Sequence, residues 1–111
     1  MVPLEKAKLI QKEAYELCAV QMPVKACWLY GSYARGDQDD QSDVDILITV
    51  NAQEEQLRGL RRTVAIINSR LSLKYDVTVS ITLKSAASFD RYAEYVPYYQ
   101  NVRREGLIYA G

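Results

Sequence analysis

The 111-residue sequence contains no histidine and only two cysteines. Without histidine, an imidazole general base and the Ser-His or Cys-His nucleophile pairs are excluded, so catalysis would have to use carboxylates, lysines, tyrosines or metals. Two cysteines also make a disulfide framework or a zinc site with the usual ligands unexpected. We therefore expect Cys18 and Cys27 to be small buried side chains.

The sequence also lacks net charge and long apolar runs. Its 14 Lys and Arg residues balance 14 Asp and Glu residues, so it has no overall positive field that would attract a long nucleic acid. No apolar run approaches the ~18 residues of a membrane span, and the first five residues do not resemble a secretory leader. We expect one folded domain over residues 1–111 that is cytoplasmic and binds neither membranes nor long nucleic acids.

Apolar periodicity predicts the element order α, β, short α, β, α, β, α. Residues 73–83 alternate strictly between apolar and polar side chains, which predicts a strand with one polar face. Together the elements predict an α/β fold with a small mixed sheet of three to four strands and helices packed on one face. The predicted helices cover 4–20, 31–35, 53–71 and 85–105, the last with a break at Pro97. The other two predicted strands cover 26–30 and 42–50.

The most informative motif is Gly31-Ser32, followed after ten residues by Asp43-Val44-Asp45. Because side chains alternate on a strand, Asp43 and Asp45 project from the same face about 7 Å apart. Oxygen ligands of this kind suit magnesium, and two such ions could clamp the attacking and leaving oxygens of a phosphoryl displacement. Gly31 lets the backbone approach a phosphate, and Ser32 at a helix start offers a hydroxyl and N–H groups. The motif predicts a triphosphate cradle that is not a Walker A loop.

Two further charged residues are candidates for this site. The alternation places Asp76 on the polar face of the third strand, where it could ligate one metal and accept the proton of an attacking hydroxyl. Arg35 could contact phosphate or could be an ordinary solvated arginine. Alternatively, the aspartates could belong to a solvated acidic loop, or Asp43 could merely cap a strand. The position of Asp45 in an otherwise apolar strand argues against both, because an unpaired charge there is costly. The C-terminal tyrosines Tyr92, Tyr95, Tyr98 and Tyr99 could form an aromatic partner surface. Alternatively, Tyr92, Tyr95 and Tyr99, which follow helical spacing, could be partly buried in the core.

In Gly31, Ser32, Asp43, Asp45 and Asp76, and in the stretch Gly-Ser-Tyr-Ala-Arg-Gly, the sequence resembles the DNA polymerase β-like nucleotidyltransferase superfamily. Over nearly its whole length it is similar to the smallest members, the minimal nucleotidyltransferases. The resemblance implies their fold, ATP as substrate, and two Mg²⁺ ions held by the three aspartates. It also implies that the chain is an antitoxin, which silences a HEPN-domain toxin by adding AMP to a tyrosine.

Two alternatives stay open, and a third, a structural or regulatory nucleotide-sensing module, is disfavoured by the presence of all three expected carboxylates. The acceptor could be a small molecule or a tRNA end instead of a protein. The chain could also be a binding antitoxin with a vestigial nucleotide site, which neutralises its partner by contact alone. The sequence leaves open the nucleotide preference, the choice of magnesium or manganese, and whether the chain works as a homo- or hetero-oligomer.

Overall fold

The structure is a computed structural model that describes residues 3–109. Within them the predicted order of elements is confirmed, and a two-residue strand is added near the C-terminal end. In chain order the elements are α1 (Leu4–Ala19), β1 (Val24–Tyr30), α2 (Ser32–Arg35), β2 (Val44–Val50), α3 (Glu54–Tyr75), β3 (Val79–Ser85), α4 (Ala86–Tyr92), α5 (Pro97–Glu105) and β4 (Leu107–Ile108).

The four strands form one mixed sheet in the order β3-β2-β1-β4. Strand β1 is antiparallel to both β2 and β4, whereas β2 and β3 are parallel. The register places Asp45 of β2 between Tyr30 of β1 and Ser80 of β3. The mixed α/β sheet is therefore as predicted, and the pairing decides which residues neighbour Asp45.

The two faces of this sheet have different covers. Every second residue of β2, starting at Val44, is fully buried in one core with side chains of α1 and α3. On the opposite face, Leu47 packs with Phe89 of α4 and Val102 of α5. The two long helices thus form the predicted helical layer, and the two C-terminal helices cover part of the face from which Asp45 projects.

The boundary between α3 and β3 differs from the prediction. Residues 73–75, predicted as strand, are the last residues of α3, and Asp76 ends the helix in a left-handed conformation with φ 53°. The helix continues because Lys74 and Tyr75 both contact α1: their Nζ and Oη donate hydrogen bonds of 2.8 and 2.7 Å to Glu13. The expected position of Asp76 on a strand is therefore wrong.

The two cysteines are buried and unpaired, as expected. Burial raises the pKa of Cys18 to about 11, and burial together with the neighbouring Cys18 raises the pKa of Cys27 to about 12. Neither thiol is therefore a nucleophile at neutral pH.

In residues 3–109, no helix has both the length and the apolar character that a membrane crossing needs.

Candidate active site

A tight turn joins the end of β1 to α2 at Gly31. Its φ of 77° and ψ of −152° lie in a region that side chains rarely adopt. A Cβ added at this position would lie 2.6 Å from Oδ2 of Asp45. Position 31 therefore requires glycine for two reasons: the backbone conformation disfavours any side chain, and the Asp45 carboxylate occupies the space that a side chain would need. Ser32 follows as the first residue of α2.

The two aspartates of the motif differ in their surroundings. Asp45 lies on β2 and is half-buried, whereas Asp43 precedes the strand and is exposed. Burial, and then the negative charge of Asp43, raise the pKa of Asp45, while the positive charge of Arg35 acts in the opposite direction. A desolvated carboxylate beside a second one is costly to ionise unless a cation is present. This pair of oxygen donors is what a small divalent cation prefers.

A cleft of about 400 Å³ opens beside Asp45, within the size range of small-ligand sites. It contains four of the six predicted site residues. The β1–α2 turn and strand ends contribute Tyr30, Gly31, Ser32, Arg35 and Asp45 to its lining, and α5 contributes Tyr98, Asn101, Val102 and Glu105.

The other two predicted residues, Asp43 and Asp76, line a second cleft of about 310 Å³. Asp76 does not line the first cleft, because it lies at the end of α3 and the strand register places Ser80 opposite Asp45. In the described part of the chain, no three Asp, Glu, Cys or His side chains are grouped closely enough to hold a metal ion. Asp76 is thus brought to Asp43, but the three aspartates do not form one metal-binding group.

Arg35 lies at the edge of the first cleft and is exposed. It ends α2, and its Nε donates a 3.3 Å hydrogen bond to Oδ2 of Asp37. The chain then turns through Gly36 in a left-handed conformation, with φ 81°. The guanidinium is therefore close enough to lower the pKa of Asp45 and is suited to bind a phosphate group at this edge.

The α5 wall of the cleft was not predicted as part of the site. A spacing signal for it is present in the sequence, because Tyr98, Asn101, Val102 and Glu105 follow one another by three, one and three residues, as on one face of a helix. That spacing shows only that these residues share a face. The packing of Val102 against Leu47 of β2 decides that this face turns toward the nucleotide motif.

Residues 7–104 match the family model described as a nucleotidyltransferase domain. The chain belongs to this family. Methanocaldococcus jannaschii relatives of this nucleotidyltransferase carry the provisional name protein adenylyltransferase. One is 50% identical over 52 residues, a match that spans 47% of this chain and only half of the relative. A second is 32% identical over 85 residues, or 77% of each chain, and a third is 32% identical over 107 residues, or 96% of this chain and 89% of the relative.

The fold of this nucleotidyltransferase is also similar to solved structures. A protein from Sulfolobus solfataricus, provisionally described as a nucleotidyltransferase, aligns with a TM-score of 0.63 at 23% identity, covering 95% of this chain and 80% of the other. A second protein, provisionally described as a minimal nucleotidyltransferase, aligns with a TM-score of 0.60 at 23% identity, covering 96% and 95%. At this identity the likeness shows a shared fold, and it confirms the predicted fold class.

Proposed function

We propose that this nucleotidyltransferase transfers AMP from MgATP to a tyrosine hydroxyl of a partner protein. The observation that carries the reaction type is the close approach of Gly31 and Asp45, which brings a carboxylate against the glycine turn that we propose holds the phosphates. A protein acceptor is supported by the relatives named as protein adenylyltransferases. We further propose that the partner is a HEPN-domain toxin and that the chain is its antitoxin, which rests on the resemblance of the motif to minimal nucleotidyltransferases.

The donor set fits magnesium. Asp43 and Asp45 offer hard carboxylate oxygens, and the missing side chain of Gly31 leaves Oδ2 of Asp45 accessible beside the cleft. Bound there, two ions would offset the charge of the triphosphate and of the attacking and leaving oxygens. The raised pKa of Asp45 agrees with this role, because a nearby cation would remove the cost of ionising that carboxyl group.

The other residues of the two clefts bind and orient the reactants in this proposal. The Gly31 backbone and the Ser32 hydroxyl hold the triphosphate, and Arg35 neutralises part of its charge. The acceptor hydroxyl enters from the cleft of Asp43 and Asp76, where Asp76 accepts its proton. The acceptor oxygen then bonds to the α-phosphorus, the bond from that phosphorus to the oxygen bridging to the β-phosphorus breaks, and pyrophosphate leaves.

The experiment uses ATP labelled on the α-phosphate, Mg²⁺, the purified chain and a purified HEPN-domain protein. We expect label on the partner with wild type and a loss of about 10³-fold with the double change Asp43→Asn and Asp45→Asn, because metal-derived charge stabilisation supplies several kcal/mol. Label on the γ-phosphate must not transfer. The matched control is Asp90→Asn, an exposed aspartate that pairs with Lys25 and does not line the first cleft.

The remaining outcomes distinguish this proposal from the alternative functions. If neither wild type nor the double variant labels the HEPN protein, yet both bind and neutralise it, the chain is a binding antitoxin. If wild type labels a small molecule or a tRNA end and leaves the HEPN protein unlabelled, the reaction type stands and the protein acceptor is wrong. Label that persists in the double variant contradicts the roles of Asp43 and Asp45.

A further inference from the structure

The ring of Tyr98 is an ordered aromatic surface in the first cleft. Its side chain is 42% exposed, yet edge-to-face contacts fix it to Tyr30 at 5.9 Å and to Tyr99 at 5.1 Å between ring centroids. Its hydroxyl is also hydrogen-bonded to that of Tyr30, with 2.9 Å between the oxygens. A ring that is held from several sides while remaining accessible loses little conformational freedom when a ligand binds to it.

The chemical state of this ring suits an uncharged aromatic partner. Burial, and then the hydrogen bond between the Tyr98 and Tyr30 hydroxyls, raise the pKa of Tyr98 above its usual range. The phenol is therefore neutral at physiological pH and does not repel an electron-rich ring or a nearby phosphate. Neutral aromatic faces of this kind are the surfaces on which nucleobases stack.

Asn101 follows Tyr98 by one helical turn and lines the same cleft. Arg104 donates a 2.7 Å hydrogen bond to Oδ1 of Asn101, which holds the side-chain amide in place. The amide carries NH₂ donors, and purines present N7, a hydrogen-bond acceptor that pyrimidines lack. The α5 wall therefore combines a stacking surface with a polar group able to contact the edge of a stacked base.

We propose that Tyr98 is the surface on which the base of the nucleotide stacks and that Asn101 makes the chain prefer purines. This rests on the proposed function, because the triphosphate must lie at Gly31 and Ser32 for the base to reach α5. The lining of the cleft supports this placement of triphosphate and base. The β1–α2 turn contributes the groups proposed to bind phosphate, and α5 contributes an aromatic ring, an amide and an apolar side chain. The nucleotide preference is then determined by α5.

The test compares two probes in the presence of Mg²⁺: a non-hydrolysable α,β-methylene ATP and inorganic tripolyphosphate, which has no base. We expect Tyr98→Ala to weaken binding of the ATP analogue by about 5- to 150-fold, the usual effect of removing a stacking partner, and to leave tripolyphosphate binding unchanged. Tyr98→Phe retains the ring and should bind the analogue nearly as wild type does. Tyr95→Ala, a change at an exposed tyrosine that does not line the cleft, is the matched control.

Two further measurements address folding and base preference. In the double variant Tyr98→Trp with Trp28→Phe, the introduced indole should be quenched by the ATP analogue and unaffected by tripolyphosphate, which reports stacking without removing a ring from position 98. Asn101→Ala should lower the preference for the ATP analogue over its CTP counterpart by about 2- to 12-fold, the usual range for one hydrogen bond.

The outcomes separate this inference from the proposed function. If wild type binds neither probe, the proposed function itself is wrong. If wild type binds both probes but Tyr98→Ala weakens them equally, or the introduced indole is not quenched, stacking on Tyr98 is overturned. An unchanged ATP-to-CTP preference in Asn101→Ala overturns the role of Asn101.

Discussion

The change Gly31→Ala tests the central contact of the site. An alanine Cβ would lie 2.6 Å from Oδ2 of Asp45, and ordinary contact begins at 3.4 Å. The carboxylate would therefore have to move by roughly 0.8 Å. A displacement of this size at a catalytic group costs on the order of 10²-fold in rate. Separately, forcing a side chain into this backbone conformation costs about 1–3 kcal/mol of stability.

Gly36→Ala is the matched control. Gly36 also has a positive φ, 81°, but no atom lies within 4 Å of a Cβ added there. It should lose about 1–2 kcal/mol of stability from its left-handed conformation and retain its transfer rate within a few-fold. Thermal denaturation and the α-phosphate transfer assay, both at a temperature where each variant is fully folded, separate the two effects. If Gly31→Ala transfers AMP as fast as Gly36→Ala, the contact between Gly31 and Asp45 does not position the carboxylate and the reasoning is refuted.

Three further predictions concern single residues. Asp45 holds its proton more tightly in the folded state, so its contribution to stability is present at low pH and is lost as the pH rises through its pKa, which is raised above the ordinary 3.8. Without metal, Asp45→Asn should therefore have a higher melting temperature than wild type at pH 7. Mg²⁺ should raise the melting temperature of wild type only. An equal magnesium shift in both proteins would contradict this. Asp76 adopts a left-handed conformation that Asn tolerates, so Asp76→Ala should lose about 1–2 kcal/mol of stability in chemical denaturation while Asp76→Asn loses little. If Asp76 takes the proton from the acceptor hydroxyl, both variants should also transfer AMP more slowly. Full activity in Asp76→Asn would exclude that role. Gly59 lies inside α3 with open space around the position that an added methyl group would take, so Gly59→Ala should gain about 0.5–1 kcal/mol of stability, and a loss would show an unexpected clash.

Most elements could be predicted because helices and strands leave short-range patterns. The helical spacing of apolar residues predicted α1 and the run rich in Val and Ile predicted β2, and the structure confirms both. The alternation of apolar and polar side chains predicted a strand at residues 73–75, which instead end α3. Contacts from Lys74 and Tyr75 to Glu13, which lies 61 or more residues earlier, favour the helix. Local sequence could not provide that information.

Short-range patterns in the sequence are sufficient for the order of the elements and for the glycine turn before α2. Each of these depends on residues a few positions apart, so periodicity and backbone preference specify it. Long-range contacts are needed to bring Asp45 against Gly31, to place Ser80 of β3 opposite it, and to close the cleft with α5. Those neighbours are set by strand register and by the packing of α5 on the sheet, which join distant parts of the chain through contacts that no local pattern records.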